Sequence, residues 1–452
     1  MKDGNLLDKA YDLAINHFHR WYGLVAASFF AMSVALFFYG LLPSEKVRFL
    51  WYTYAMLGLE ACIIFSWFFY KFRIPRNNKN QSGLVICIHA DTNEAEQALK
   101  KDFISAITKK VREGEMNEIF KVITIPNHLA NKYNNLKDIY KLHKKVRGHI
   151  YIFGETKKRQ HGVEQYFLSL DGLVLHRPVA MQVSKELSKD FLATLPKGIN
   201  FQKDFAFAGF QISADIVLKS VEYISGIAAA ISGNPFLATK LHTDLKDRIA
   251  SERNKLPGDQ AILAKIDSLL ANEYAVIAAF YLSKEDRNEM YKNLRLSLQF
   301  KPDCYQALIV ESIVSFSWEN DPPKSLSALK KCHAVTDPTW RYNEAFIHFW
   351  LGQYPTAWKQ CEKIRKQNYL NDFDVSRQCT DFNEHLLQTS MNKPVLYFWL
   401  GFNYYFKQHN LPLALQRLET FISKADTSMA LLTQKANGWL VDIRKQGGWE
   451  SI

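Results

Sequence analysis

The residues best equipped for chemistry fall in two short stretches and at one isolated position. His89, Asp91, Thr92 and Asn93 lie at and just past the end of an apolar run, residues 83–89. Lys157, Lys158 and Arg159 follow a second such run, residues 148–153. In an open α/β sheet, ligands bind beyond the carboxyl ends of the strands, and a helix opening near Asn93 would turn backbone N–H groups toward an anion. These seven residues are therefore the candidate ligand rim. The competing expectation is an Asp/Thr/Asn helix cap beside a solvated charged loop, and it is favoured because the glycine-rich phosphate loop is missing. The isolated position is Glu60, the one charge in the apolar run 49–70. An ionised carboxylate at mid-bilayer depth costs at least ~2.5 kcal/mol, so Glu60 must be neutral, paired or facing water. It is the intramembrane polar candidate: a gate or oligomer contact, or a protonated group bonded to a hydroxyl such as Ser28 or Ser33.

No nucleophile elbow, H-E-x-x-H or paired-carboxylate motif occurs. The six cysteines, Cys62, Cys87, Cys304, Cys332, Cys361 and Cys379, are scattered without a C-x-x-C pair. That pattern fits free thiols in a reducing compartment and argues against a disulfide framework or a zinc site. The expectation is a protein that is not an enzyme, with no catalytic, cofactor-binding or metal-binding residues. The net charge of +12 is unevenly placed: residues 71–160 hold 19 Lys/Arg against 9 Asp/Glu. Each cation near an anionic leaflet contributes roughly 1 kcal/mol, so anionic lipid is the expected partner between Lys71 and Lys79. No aromatic-interleaved basic run supports nucleic acid.

The elements that must hold these residues begin with an apolar hairpin. Residues 21–42 carry no charge and residues 49–70 carry only Glu60. Each run of 22 residues would span roughly 33 Å as a helix, enough for a hydrocarbon core of about 30 Å. Aromatics mark both ends, among them Trp21, Tyr22, Trp67 and Tyr70, as at head-group level. Flanking cations (Lys2, Lys9 and Arg20 before; Lys71, Arg73, Arg76 and Lys79 after; only Lys46 and Arg48 between) place both termini in the cytoplasm of an inner-membrane, multi-pass protein. The small-residue stripe Gly23, Ala26, Ala27, Ala31 and Ala35 permits close helix packing, within the hairpin or in a homo-oligomer.

Residues 83–255 read as a small α/β domain with a mixed sheet. Strands are expected at 83–89, 120–125 and 148–153, with helices at 94–112 and from Asn127 to about Lys145, the spacing of parallel pairing. Two further strands, 165–170 and 173–176, are expected around an Asp171-Gly172 turn. Residues 207–231 predict a buried amphipathic helix rather than a third span, because Asp215, Lys219 and Glu222 mark one polar face; another helix is expected over 234–253. The G-H-I-Y-I-F-G stretch at 148–154 and the Asp171-Gly172 pair loosely resemble the N-terminal α/β domain of TolB-like proteins. That resemblance covers some 90 residues and implies a periplasmic domain, against the charge-based orientation.

Residues 260–452 contain an internal period. Ser312 follows Ala278 by 34 residues and Ala345 follows Ser312 by 33. Met290 and Ala357 each stand twelve residues past Ala278 and Ala345. Leu351-Gly352-Gln353-Tyr354 and Leu400-Gly401-Phe402-Asn403-Tyr404-Tyr405 supply the G-x-Y and paired-aromatic phrases. These phrases resemble the tetratricopeptide repeat in four units, about 272–424. Met290 and Ser325 stand where alanine is usual, His409-Asn410 lengthens the last turn, and about 22 extra residues near 367–385 interrupt the array. The resemblance implies helix pairs stacked into a solenoid with a concave surface for a protein partner. Tyr274, Phe280, Phe316, Phe346, Trp350, Tyr397 and Trp399 are expected chiefly in its core.

The expected architecture is thus an N-terminal segment (1–20), a transmembrane helical hairpin (21–70), an α/β domain (83–255) and an all-α, tetratricopeptide-like solenoid (260–452). The expected role is a membrane-anchored scaffold that recruits a protein partner through its repeats. The alternative is a bacterial membrane effector or sensor of the defence type, in which a ligand at the α/β domain or repeats rearranges the two-helix module.

Overall fold

The computed structural model describes residues 18, 21–40, 46–77, 81–113, 118–161, 163–175, 181–195, 199–202, 206–256, 258–367, 372–389 and 393–447. Expectations for residues 1–17, Arg20, Lys79 and the turn at 41–45 lie outside the described residues. The described chain is mostly helical with one five-stranded mixed sheet. It divides into two compact units, Met1–Ile224 with Glu252–Ile262 and Ser225–Ser251 with Leu263–Ile452.

In the first unit, α1 (Trp21–Gly40) and α2 (Lys46–Phe72) form a packed pair, and the Tyr52 hydroxyl donates to the Ala35 carbonyl across it. The helix α2 starts at Lys46, ahead of the apolar run, and its 27 residues extend roughly 40 Å. Its Tyr52–Phe69 stretch is long and apolar enough to cross a membrane, and of its residues Trp67 alone is buried. The apolar stretch of α1, Trp21–Ala35, is shorter. Large apolar side chains point outward on both helices, Trp21 at 71% and Phe65 at 74% exposure.

The sheet runs β2-β1-β3-β4-β5. Strand β1 (Ser82–Ala90) lies parallel to both β2 (Phe120–Thr124) and β3 (Ile150–His161). Its buried run from Leu84 to Ile88 is what a strand covered on both faces requires. Strands β4 (Val163–Val174) and β5 (Ile199–Gln202) add antiparallel pairs. The first crossover is α3 (Asn93–Ala98), a π-helical segment (Leu99–Ile104) and α4 (Ser105–Glu113).

Two local expectations fail for physical reasons. The second crossover helix is split into α5 (Asn127–Ala130) and α6 (Leu136–Val146), and Asn135 caps α6 by accepting from Asp138 N at 3.1 Å. Asn127 caps nothing, because its amide holds the end of β1. The Asp171-Gly172 pair is not a turn: both residues lie inside β4, opposite Phe153 and Ile152, and the reversal comes between β3 and β4. Glycine at 172 answers to space, since a Cβ there would lie 2.6 Å from the Phe191 ring of α7 (Met181–Thr194).

The helix α8 (Ala206–Ile231) is a single helix of 26 residues, largely buried, with Tyr166 of β4 against its Phe210 at 6.0 Å. Lys219 of α8 is almost fully buried and pairs with Glu252 at 2.5 Å and Asp259 at 3.1 Å.

The second unit holds α9 (Pro235–Ser251), most of α10 (Asp259–Ser283), α11 (Arg287–Phe300), α12 (Tyr305–Ser317), α13 (Pro322–Lys330), α14 (Thr339–Trp350) and α15 (Tyr354–Lys366). It continues with α16 (Asp372–Gln388), α17 (Pro394–Phe406), α18 (Leu411–Lys424) and α19 (Ala430–Gly447). Short connections make α10/α11, α12/α13, α14/α15 and α17/α18 antiparallel neighbours. Each of these four turns contains a residue of left-handed φ: Glu285 (59°), Asn320 (54°), Gly352 (73°) and His409 (53°). The N-cap of the next helix follows at once: Asp286, Asp321, Gln353 and Asn410. The small positions that carry the period are buried: Ala278 and Met290, Ser312 and Ser325, Ala345 and Ala357. Gly401 lies so close to α18 that a Cβ would meet Leu418 at 2.6 Å. Where an extra residue lengthens the turn, at Asn320 and His409, the same left-handed step absorbs it.

Candidate functional site

The rim of the sheet is built by the ends of β1 and β3. Thr92 is the N-cap of α3 and accepts from Ala95 N at 3.2 Å. Asp91 accepts from the backbone N–H of Lys158 at 3.3 Å, and its own N–H donates to Thr156 at 3.2 Å. Both acidic and hydroxyl groups of the first stretch are thereby committed to backbone. Lys158 lies between two carboxylates, Glu94 at 2.6 Å and Glu164 at 2.9 Å, which push its pKa above the usual lysine value. Lys157 pairs with Glu155 at 2.5 Å. Arg159 lies on β3 opposite Gln165, and its side chain is outside the described residues. The depression formed by Thr92, Asn93, Glu94 and Lys158 is open to solvent. An anion arriving there would find Lys157 and Lys158 already neutralised.

Sequence reasoning missed Asn127. Its Oδ1 accepts from Ala90 N at 2.8 Å and pairs with His89 Nδ1 at 3.0 Å. Its Nδ2 donates to Ala90 O at 3.1 Å and Glu96 Oε2 at 2.8 Å. An amide oxygen only accepts, so Nδ1 of the half-buried His89 ring is the donor in that pair. One amide thus fixes the last residues of β1 to α3 and α5. The only linear signal was an Asn just after Pro126, which also suits a cap.

Glu60 lies on α2 with Oε1 enclosed and without a hydrogen-bond partner among the described residues. Ser33 donates to its own helix, to Phe29 O at 2.8 Å, so it does not answer the carboxyl.

In the second unit, α12, α14 and α16 enclose a pocket of about 180 Å³. Phe316, Phe346 and Phe382 form its aromatic wall, with Phe316–Phe346 centroids at 5.1 Å and Phe346–Phe382 at 5.6 Å. No charged side chain lines it. The helix α16 is the interruption of the period, and it is firmly tied. Asp372 accepts from the Tyr342 hydroxyl at 2.7 Å and from Lys407 at 2.6 Å. Glu384 accepts from Arg417 Nε at 2.9 Å and from its Nη2 at 2.8 Å. Asn343 and Gln378 also line the pocket and carry no hydrogen bond to a described residue. Burial pushes the Cys379 thiol beside them up to about 12, so it is no thiolate nucleophile at neutral pH. Of the aromatics expected in the core, Trp399 and Phe346 are buried, Phe316, Trp350, Tyr274 and Tyr397 are half-buried, and Phe280 is exposed.

Among the described residues no group of three or more His, Cys, Asp or Glu is placed to hold a metal ion. Comparison with known protein families, with curated proteins and with solved structures finds no match to this chain.

Proposed function

We propose that this chain is a membrane-anchored scaffold: a two-helix transmembrane hairpin at the inner membrane, with both termini cytoplasmic, holds an α/β domain and a tetratricopeptide-like array that recruits a protein partner. The observation that carries the anchor is the outward apolar surface of α2: Phe65, Phe68 and Phe69 are each more than half exposed, and within Tyr52–Phe69 Trp67 alone is buried. A surface of that kind on a soluble chain would be an aggregation hazard. Recruitment draws support from the repeated turn geometry at Glu285, Asn320, Gly352 and His409. It also draws on a pocket with an aromatic wall and two amides, Asn343 and Gln378, whose side chains make no hydrogen bond to a described residue.

Alkaline carbonate washing of membranes from cells expressing the full chain tests the anchor. The chain is expected in the pellet and a variant lacking residues 21–72 in the supernatant; an intact chain in the supernatant would overturn the reading. Recruitment is tested by crosslinking the full chain in intact cells. A partner crosslinked to the array should be lost in the Asn343→Ala/Gln378→Ala double variant, and crosslinks confined to the chain itself would overturn the scaffold role.

The effector reading has one observation in its favour, the enclosed Glu60 Oε1, without a hydrogen-bond partner among the described residues, in a helix whose large apolar side chains mostly point outward. It expects dye leakage from vesicles carrying the full chain, abolished by Glu60→Ala. Vesicles that stay tight with the native chain under every trigger tried would dismiss it.

A further inference from the structure

The α/β domain carries two clusters of cations, and they differ in who holds them. At the rim, Lys157 and Lys158 are neutralised by Glu155, Glu94 and Glu164. On α6, Lys137, Lys144 and Lys145 are exposed and make no ion pair among the described residues, while Lys141 alone pairs, with Asp138 at 2.7 Å.

At 3.6 residues per turn, Leu136, Lys137, Tyr140, Lys141, Lys144 and Lys145 share half the circumference of α6. The other half supplies Ile139, Leu142 and Val146 to the core beneath. Within the outward half, Leu136 is 48% and Tyr140 38% exposed. Two apolar side chains among lysines is the composition of a helix face that rests on a lipid surface.

The position of α6 supplies the occupant. Ile74, two residues past the end of α2, packs against the same core as Ile139, Leu142 and Val146. Asn77 N donates to Val146 O at 2.8 Å, and its side-chain amide reaches Arg147 O at 3.5 Å. His128 Nε2 is bonded to Lys71 O at 3.1 Å. Asn77 stands five positions past Phe72, the last residue of α2, so the C-terminal end of α6 stays within about 20 Å of the helix end. At that end Lys71 lies over the Trp67 ring at 4.1 Å and Arg73 over Phe69 at 4.9 Å, as cations do where a helix leaves the apolar layer.

We propose that the outward face of α6, centred on Tyr140 and Lys144, docks on an anionic lipid leaflet and fixes the α/β domain against the membrane that receives α2. This rests on the hairpin being a membrane anchor. The face takes phosphate- and carboxylate-bearing headgroups through its lysines, and Leu136 and Tyr140 enter the boundary below them.

The test uses the full chain with two vesicle compositions, phosphatidylcholine alone and phosphatidylcholine with one third phosphatidylserine. Flotation is measured first. Lysine acetylation is then read residue by residue by mass spectrometry, with Lys100 on the π-helical segment as the internal reference. The expected result is flotation with both compositions, and several-fold slower acetylation of Lys137, Lys144 and Lys145 in the anionic vesicles only. The Lys137→Gln/Lys144→Gln/Lys145→Gln variant, all at exposed positions, should still float, and Tyr140 iodination should lose its protection by anionic lipid. Flotation with both compositions but equal acetylation overturns the α6 proposal and leaves the anchor standing. Flotation only with anionic vesicles, abolished in the triple variant, overturns the anchor, and with it the placement of the α/β domain beside α2, and leaves only the affinity of the α6 face for anionic lipid. No flotation with either overturns both.

Discussion

Two apolar, aromatic-rich helix pairs in this chain end in opposite surroundings. On α2, Phe65, Phe68 and Phe69 are each more than half exposed; on α17, Phe398, Trp399 and Phe402 are not exposed at all. Composition does not separate them. Neighbours do: Phe421 of α18 and Trp439 of α19 lie 5.2 and 5.4 Å from Phe398, whereas α2 packs chiefly on α1. An apolar helix must be covered, and the sequence pattern alone does not say by what. For α17 the cover is protein; for α2 we assign it to lipid.

The contrast predicts a large difference between matched truncations. Trp399→Ala empties a fully buried site, and such changes cost about 3–5 kcal/mol. Phe65→Ala removes a side chain that touches little protein, and substitutions of that kind stay within about 0.5 kcal/mol. Urea unfolding of the full chain in mild detergent, followed by tryptophan fluorescence, should show a much earlier transition for the first variant and an unchanged one for the second. Equal destabilisation would mean that Phe65 is covered by protein after all, and the comparison would collapse.

What could be read from the chain follows the same division. Two apolar helices and the first three strands were legible because each is written in local spacing, apolar all round or short β-branched runs, and the small residues spaced by 33 or 34 are buried. Features set by contacts distant in sequence were not. Asn127 resembles a helix cap until α5 is seen beside the end of β1, where the amide bonds Ala90 on both sides. Asp171-Gly172 has strong turn propensity, but the Phe191 ring needs the space that glycine leaves, so packing overrides the local signal. Lys158 looked available to an anion because neither Glu94 nor Glu164 adjoins it in sequence. The interruption after α15 was visible as a break in the period, but nothing in it indicated that Phe382 would line a pocket with Phe316 and Phe346.

Glycine supplies a second, smaller version of the comparison. Gly401 lies in the middle of α17 and Gly58 in the middle of α2. A Cβ at 401 would meet Leu418 at 2.6 Å, while one at 58 meets nothing within 4 Å. Overpacking costs about 1–3 kcal/mol, whereas alanine in an open helical position gains about 1 kcal/mol over glycine. Gly401→Ala should therefore lower the urea midpoint of the array. Gly58→Ala should leave it unchanged and slow amide exchange of α2 in detergent. Opposite signs sharpen the contrast; a loss at both positions would show that α2 is closely packed.

The smallest effect concerns pH. His348 of α14 lies 3.7 Å from the Glu344 carboxylate and also bonds Gln353 at 2.7 Å. The nearby Glu344 carboxylate, ahead of the opposing effect of burial, raises the His348 pKa above its ordinary value. A histidine that binds its proton more tightly when folded adds stability below its unfolded pKa, about 6.5. That contribution fades as pH rises through the folded value. The second unit should therefore be more stable at pH 6 than at pH 8, by about 0.5 kcal/mol for a pair separated by 3.7 Å. Glu344 itself is shifted downward, so its own contribution is lost only in acid and does not interfere in this window. His348→Gln should flatten the dependence between pH 6 and 8 without moving the midpoint at pH 8. Residues 21–72 contain no histidine, so apart from the last turn of α2, where His128 bonds Lys71 O, amide exchange of the helix pair, corrected for the intrinsic rate, should be the same at both pH values. A pH response in the hairpin that vanished with His348→Gln would show that the helices read here as lipid-covered are coupled to the array, and the two regions could no longer be treated as separately supported.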